Sequence, residues 1–245
     1  MRKGKFTASR IADLLATGTG RTRSSYIFDI ASDLVGCKAE ISTPAMTHGI
    51  INERTAIDIL ISQKGGKHND NGLGEQTFYV INDYLGATPD ALGDDFVGDA
   101  KCQYSIYNFI EQNEKLPKKY YAQLQCQMMA LKVDKGYLIN YLTKPEIWGV
   151  DEWAEYPFSL EERYHIHTIQ KDEAMRYDIL TLSEKYHPHI GLCVEMLINA
   201  VEMDEAEFFY SQLIGKARFM LLKDTNWINN DREVIKFENK FYVKK

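Results

Sequence analysis

Cysteine is scarce: the 245 residues hold four, Cys37, Cys102, Cys126 and Cys193, and no two form a C-x-x-C pair. That spacing argues against a zinc ribbon or a closely spaced iron–sulfur ligand set and favours free thiols in a reducing compartment. No uninterrupted apolar run reaches the roughly 18 residues a membrane-spanning helix needs. The opening MRKGKFTASR is charged and is not followed by the apolar stretch of about 7–15 residues that a secretory signal requires, so the cytoplasm is the expected compartment. Internal repeats and low-complexity tracts are absent as well. What is present is a hydrophobic content of 44% with 12% aromatics, enough to bury a core and to exclude wholesale disorder.

Charge is unevenly spread. The chain carries a net −6, yet residues 1–25 hold Arg2, Lys3, Lys5, Arg10, Arg21 and Arg23 against Asp13 alone. Residues 150–210 hold fourteen acids against Arg163, Lys171, Arg176 and Lys185. The basic end is able to meet nucleic acid although the whole chain is acidic; on charge alone, two ordinary solvated segments are the plainer reading.

The pattern predicts helices over 7–16 (capped by Thr7 or Ser9), 26–37, 45–63, 104–114 and 117–133. Residues 17–25 read as a loop, and so does the polar stretch from Gly65-Gly66 to Gly74. Strands are expected over 76–82, 84–88, 96–101 and 136–143, the second and third of these forming a meander. The charged segment 159–185 reads as helical, 190–223 as one or two further helices, and 233–243 as strand or loop. The order implies a mixed α/β core with a helical C-terminal extension.

The chemistry concentrates in Thr88-Pro89-Asp90, followed nine residues on by Asp99-Ala100-Lys101. Asp99 and Lys101 stand two apart on a strand and project from one face. A hairpin brings Asp90 beside them. Hard divalent cations take oxygen ligands, and Mg²⁺ is commonly held by one or two carboxylates, waters and substrate phosphate oxygens. The Ala100 carbonyl is a further candidate ligand. Two carboxylates, a metal and a lysine are the parts needed to hydrolyse a phosphodiester. An Asp-x-Lys is also an ordinary cross-strand charge pair, and an aspartate after proline an ordinary turn residue. Three other segments add to the set. Glu53 is an acid on helix 45–63, with Arg54 and Asp58 nearby. Tyr120 and Gln123 share a helix face, which fits either a site or the polar rim of a core helix. Arg2-x-Gly4-x-x-Thr7-Ala8-Ser9 is a basic, hydroxyl-rich helix entry suited to an anion.

In this order, RKGKFTASRIADLL, MTHGIINERTA, GATPDAL with GDAKCQYS, YYAQLQCQMMAL and GYLINYLTKP resemble the lambda-exonuclease branch (YqaJ-like viral recombinases) of the PD-(D/E)XK nucleases. The resemblance covers residues 2 to about 145 and, more loosely, the charged segment 159–185. It implies a restriction-endonuclease-like fold, a mixed β-sheet flanked by helices. It implies catalytic magnesium on Asp90 and Asp99, with Mn²⁺ able to substitute, and further ligation by Glu53 and the Ala100 carbonyl. By the same resemblance Lys101 is the family lysine and Gln123 the glutamine of the Tyr-x-x-Gln helix. Arg2, Ser9 and Thr88 would line a 5′-phosphate pocket. One departure stands out: the second acid is Asp99, where relatives more often carry glutamate, so the shorter side chain must approach the metal differently.

The resemblance further implies a 5′-to-3′ exonuclease on double-stranded DNA ends that releases 5′-mononucleotides. It implies a phage or prophage recombination role in the bacterial cytoplasm, a ring-shaped homotrimer and a single-strand annealing partner. An endonuclease of the same fold and a catalytically idle DNA-binding module are the alternatives. The expected division is a nuclease domain over 1–185 and an extension over 186–245 packed on it.

Overall fold

A computed structural model of the chain describes residues 2–18, 21–36, 42–70, 75–143 and 158–201, together with 234–237 and 240–243. A five-stranded sheet at its centre has the order β2 (Lys67–His68), β5 (Ala91–Leu92), β6 (Phe96–Gln103), β7 (Lys135–Leu142), β8 (Tyr164–Gln170). Strands β6 and β7 run parallel over eight residue pairs, from Phe96 opposite Lys135 to Gln103 opposite Leu142, and the other neighbours are antiparallel. The link between β6 and β7 is helical, through α4 (Ile106–Glu114) and α5 (Lys118–Leu131), as a parallel crossover requires.

Strand β6 alternates between two helices. Val97 packs with Leu124 and Met128 of α5, while Ala100 packs with Ala56, Ile57 and Leu60 of α3 (Pro44–Lys64). Gly98 is what lets α3 lie close, since a Cβ there would stand 2.6 Å from Leu60 Cδ2. Helix α3 begins where Thr43 Oγ1 accepts from the Met46 N–H and Pro44 fills the first turn. It ends at Gly65, whose φ of +80° an L side chain rarely adopts.

A second, three-stranded sheet has the order β1 (Phe6–Thr7), β4 (Leu85–Ala87), β3 (Tyr79–Val80). It shares a core with α1 (Ile11–Leu14), α2 (Thr22–Leu34), α5 and α6 (Glu173–Val201) through Phe6, Ile11, Ile27, Leu85, Ala122, Ile179 and Ile190. Two-residue and three-residue strands carry little pattern, which is why several expectations differ here. The expected helix 7–16 opens instead as strand β1 and a 3₁₀ turn over Ala8–Arg10, and neither Thr7 nor Ser9 caps it. Thr7 turns its hydroxyl to Tyr26 Oη. Helix α2 starts at Thr22, inside the expected loop. The expected meander is corrected too: β4 pairs with β1 and β3, and the hairpin partner of β6 is β5.

The segment 159–185, expected to be helical, contains β8 and only then the start of α6. Ile166 packs toward α3 and Ile169 toward α5. Ile166 and Ile169, three apart on an edge strand whose His165, Thr168 and Gln170 are exposed, mimic helical spacing. Helix α6 passes residues 185 and 186 without a break, and Tyr186, Ile190 and Cys193 lie buried in the same core as Phe6. The expected helix over 202–223 lies outside the described residues, as does 71–74 of the expected loop. The tail pairs as an antiparallel hairpin of β9 (Val234–Phe237) and β10 (Lys240–Val243).

Candidate active site

The β5–β6 hairpin sets the two aspartates. The Asp90 N–H donates to the Gly98 carbonyl at 2.9 Å, and the Ala100 N–H donates to Asp90 Oδ2 at 2.9 Å. Asp90 is thereby fastened across the strand that bears Asp99. Asp99 and Lys101 project from the α5 face, and the Lys101 ammonium pairs with Asp99 Oδ2. From α5, Gln123 Nε2 reaches Asp99 Oδ1 at 2.5 Å and Gln127 Nε2 reaches the same oxygen at 2.8 Å. Asp99 is 1% exposed. The Tyr120 ring, one turn before Gln123, lies 5.1 Å from Lys101 Nζ and gives the ammonium a π-face. Glu53 enters from α3, half-buried, and Gln76 Nε2 spans the gap by donating to Glu53 Oε1 at 2.9 Å and to Asp90 Oδ1 at 3.2 Å.

These acids share one field. Burial, then Asp99 and Glu53, hold the Asp90 carboxyl well above the usual range, with Lys101 and the Ala100 N–H opposing. Glu53 is raised by burial first and by Asp99 second. Lys101 is pulled two ways: burial disfavours its charge, but Asp99 and Asp90 outweigh burial and its pKa rises. It is an ammonium at any physiological pH. Cys102, on the opposite face of β6, has its thiol pushed up to about 12 by burial and then by Glu53.

Three carboxylates against one ammonium leave a surplus of negative charge in a partly buried space, which suits a hard cation. Among the described residues no group of three or more His, Cys, Asp and Glu side chains is arranged to hold a metal ion by itself. A cation would therefore complete its shell with waters and substrate oxygens, the usual arrangement for Mg²⁺.

The N-terminal segment and α2 form a separate cavity of about 410 Å³, lined by Arg2, Lys3, Lys5, Ser9 and Arg10 from the first and by Asp29 and Asp33 from the second, among others. Arg2 and Ser9 come together there, and Thr88 is not among the lining residues. The carbonyl of Thr88 instead accepts from Gln127 Nε2 at 3.3 Å. Lys5, Arg10 and Arg23 of the six N-terminal cations are engaged internally, and Lys5 Nζ donates to the Asn82 carbonyl at 3.3 Å and the Asp83 carbonyl at 2.5 Å. Arg10 pairs with Asp13 and Asp29, both at 2.8 Å, over the Tyr26 ring. Arg23 is buried and donates to the Leu14 carbonyl at 2.7 Å and to Tyr186 Oη at 3.0 Å.

Sequence reasoning missed Gln76 and Gln127. Gln76 had no signal, since its segment reads as a strand. Gln127 did have one: it stands four residues after Gln123 and so shares its helix face. Gln125, between them, faces away and ties the Gln170 carbonyl to the Asp172 N–H.

No helix among the described residues is long and apolar enough to cross a membrane. No curated protein matches the chain. Solved structures do share its fold. LHK-Exo, an alkaline exonuclease from Laribacter hongkongensis solved alone and in complex with dAMP, superposes with a TM-score of 0.64 at 23% identity, over 80% of this chain and 92% of its own. A phage-related exonuclease from Haemophilus somnus 129PT does so with a TM-score of 0.61 at 17% identity, over 87% of this chain and 96% of its own. The mixed sheet between α3 and α5 is thus the restriction-endonuclease-like fold of those exonucleases. The model of the YqaJ-like viral recombinase domain matches residues 1–132, more than half of the chain, and the protein belongs to that family.

Proposed function

We propose that the protein is a divalent-metal-dependent deoxyribonuclease that degrades one strand of duplex DNA from a 5′ end and releases 5′-mononucleotides. The observation that carries this reading is the convergence of Asp90, Asp99 and Glu53 with a charged Lys101 at the β5–β6 hairpin. The fold shared with two exonucleases supports it, and the dAMP bound to one of them matches a mononucleotide product.

Asp90 and Asp99 would hold Mg²⁺ or Mn²⁺, with the Ala100 carbonyl and Glu53 as further oxygen donors. The cation supplies Lewis acidity toward the scissile phosphate and makes a water nucleophilic near neutral pH. Lys101, paired with Asp99, is placed to orient the nucleophile and to offset charge developing on the phosphate. Gln123 holds Asp99 in place through Oδ1. Glu53 and Asp90 share the Gln76 amide, which must turn away if a cation takes its position between them.

Arg2 and Ser9 in the N-terminal cavity suit a terminal phosphate, which is a stronger anion than an internal diester. Thr88 would serve from the other side, next to Asp90. The wider reading is a phage-type recombination enzyme in the bacterial cytoplasm, a homotrimer acting beside a single-strand annealing protein. Residues 1–185 would carry the nuclease, and 186–245 an extension packed on it.

The test is digestion of linear and circular duplex DNA, with 5′-phosphate and 5′-hydroxyl ends, in Mg²⁺ and in EDTA. Metal-dependent loss of the linear 5′-phosphate substrate alone is expected. Cleavage of closed circles would make it an endonuclease, and no cleavage with any divalent metal would leave a DNA-binding module.

A further inference from the structure

We propose that Gln127 is a positioning residue that fixes Asp99 and sets the spacing between the two acids; this rests on the nuclease reading above. Gln127 is 0% exposed. Its Nε2 donates to Asp99 Oδ1 at 2.8 Å and to the Thr88 carbonyl at 3.3 Å. Both partners are acceptors only, so the NH₂ end of the amide must face them. Its Oε1 has no protein hydrogen-bond partner among the described residues. A buried amide satisfied at one end is a poor choice for stability, because an apolar side chain of the same shape fills the space without leaving a carbonyl unmatched. What the amide contributes there is its donor.

That donor joins three elements. Thr88 lies two residues before Asp90, Asp99 is on β6 and Gln127 on α5. One NH₂ group therefore ties the segment bearing one acid to the carboxylate of the other. Gln123 reaches the same oxygen from the preceding turn, and Lys101 occupies Oδ2. With three donors on it the short Asp99 carboxylate cannot rotate, and the direction in which it offers its remaining lone pair is set.

The experiment uses the full chain and the variant Gln127→Met, which keeps length and volume and removes the donor, with Gln127→Leu beside it. Three quantities are measured: kcat and KM on linear 5′-phosphorylated duplex, the thermal midpoint, and Mn²⁺ affinity of the DNA-free protein by calorimetry. Loss of a hydrogen bond to a charged group implies kcat lower by about ten- to a hundredfold, with KM for DNA within about twofold. Mn²⁺ binding should weaken by about tenfold, and the midpoint should hold within about 3 °C, since the unmatched carbonyl leaves with the donor. Unchanged kcat, unchanged Mn²⁺ affinity, or a midpoint lowered by more than about 10 °C in both variants assigns Gln127 to packing alone and overturns the proposal. A wild-type protein that neither cleaves DNA with any divalent metal nor binds Mn²⁺ would bring down the nuclease reading, and this proposal with it; an active wild type beside an unaffected Gln127→Met brings down this proposal only.

Discussion

Replacing Asp90 by asparagine should make the metal-free protein more stable and its turnover negligible. Asp90 Oδ1 and Glu53 Oε1 both lie within hydrogen-bond reach of one Gln76 nitrogen, at 3.2 and 2.9 Å, so the two oxygens are no more than about 6 Å apart. Two unit charges at about 6 Å repel by roughly 3 kcal/mol at an effective dielectric of about 20. Part of this is returned by the charge-assisted bond from the Ala100 N–H, which a neutral amide at that position would accept less strongly. A net gain of about 2 kcal/mol remains, which for a chain of this size raises the midpoint by about 4–8 °C. The sign with pH follows from Asp90 being raised in the folded state. Below about pH 4 the carboxyl is protonated folded and unfolded, and the charge has no effect on stability. As pH climbs above the ordinary carboxylate value the unfolded chain ionises first, and the native wild type loses stability until its own raised pKa is passed. The assay is thermal melting of wild type and Asp90→Asn in EDTA at pH 4 and pH 8, repeated with Mg²⁺. The variant should melt higher at pH 8 and level with wild type at pH 4. Saturating metal at about a hundred times its Kd should stabilise wild type by about 2.7 kcal/mol and the variant hardly at all. A variant that melts below wild type at pH 8 in EDTA refutes the view that these acids are held together against their mutual repulsion.

Lys101→Met should lower kcat at least tenfold at every pH from about 6 to 9, because the raised ammonium never titrates there; a wild-type rate that falls as a lysine loses its proton would contradict this. Removing the 5′-phosphate, or making Arg2→Ala, should each slow digestion by about ten- to a hundredfold, and both together little more, since they delete one interaction; equal rates on the two kinds of end would dissolve the pocket. Cys102, its thiol pushed up to about 12, should resist iodoacetamide at pH 8 until the protein unfolds, as followed by peptide mass mapping; prompt labelling of the native protein would show the face open. Gly98→Ala should cost about 1–3 kcal/mol by pushing Leu60 and the Ala91 methyl away, measured by urea unfolding; an unchanged midpoint would mean that α3 does not lie as close as described.

Much of the site was legible because it is local in sequence. Asp90, Asp99 and Lys101 sit on one hairpin, and the alternation of a strand is enough to aim them. Helices α3 and α5 and strand β7 were legible to within a residue or two, since Gly65, Pro117 and the run GYLINYLT mark them strongly. What was not legible depended on tertiary cover. Strand β8 was hidden because its apolar residues, Ile166 and Ile169, stand three apart as on a helix. Strands β1, β2 and β5, two residues each, are too short for any period. Arg23 read as an ordinary surface cation, and only the fold reveals that its guanidinium is occupied by the Leu14 carbonyl and Tyr186. Thr88 sits beside Pro-Asp as expected, but it does not line the N-terminal cavity, and which residues do is a matter of tertiary arrangement that no spacing encodes.

Strand β6 separates two kinds of information by the parity of its positions. The odd ones, Asp99 and Lys101, face α5 and carry reactivity, while the even ones, Gly98 and Ala100, are shaped to receive α3. Substitution at an odd position can silence the chemistry of a protein that still folds, and substitution at an even one can loosen the fold around intact chemistry. Insertion of one residue inside β6, between Val97 and Asp99, would turn Asp99 and Lys101 to the other face, driving an aspartate and a lysine toward the seat of Leu60. Drift along this segment is therefore confined to replacement in place, and a length change there is lethal to structure and catalysis in the same stroke.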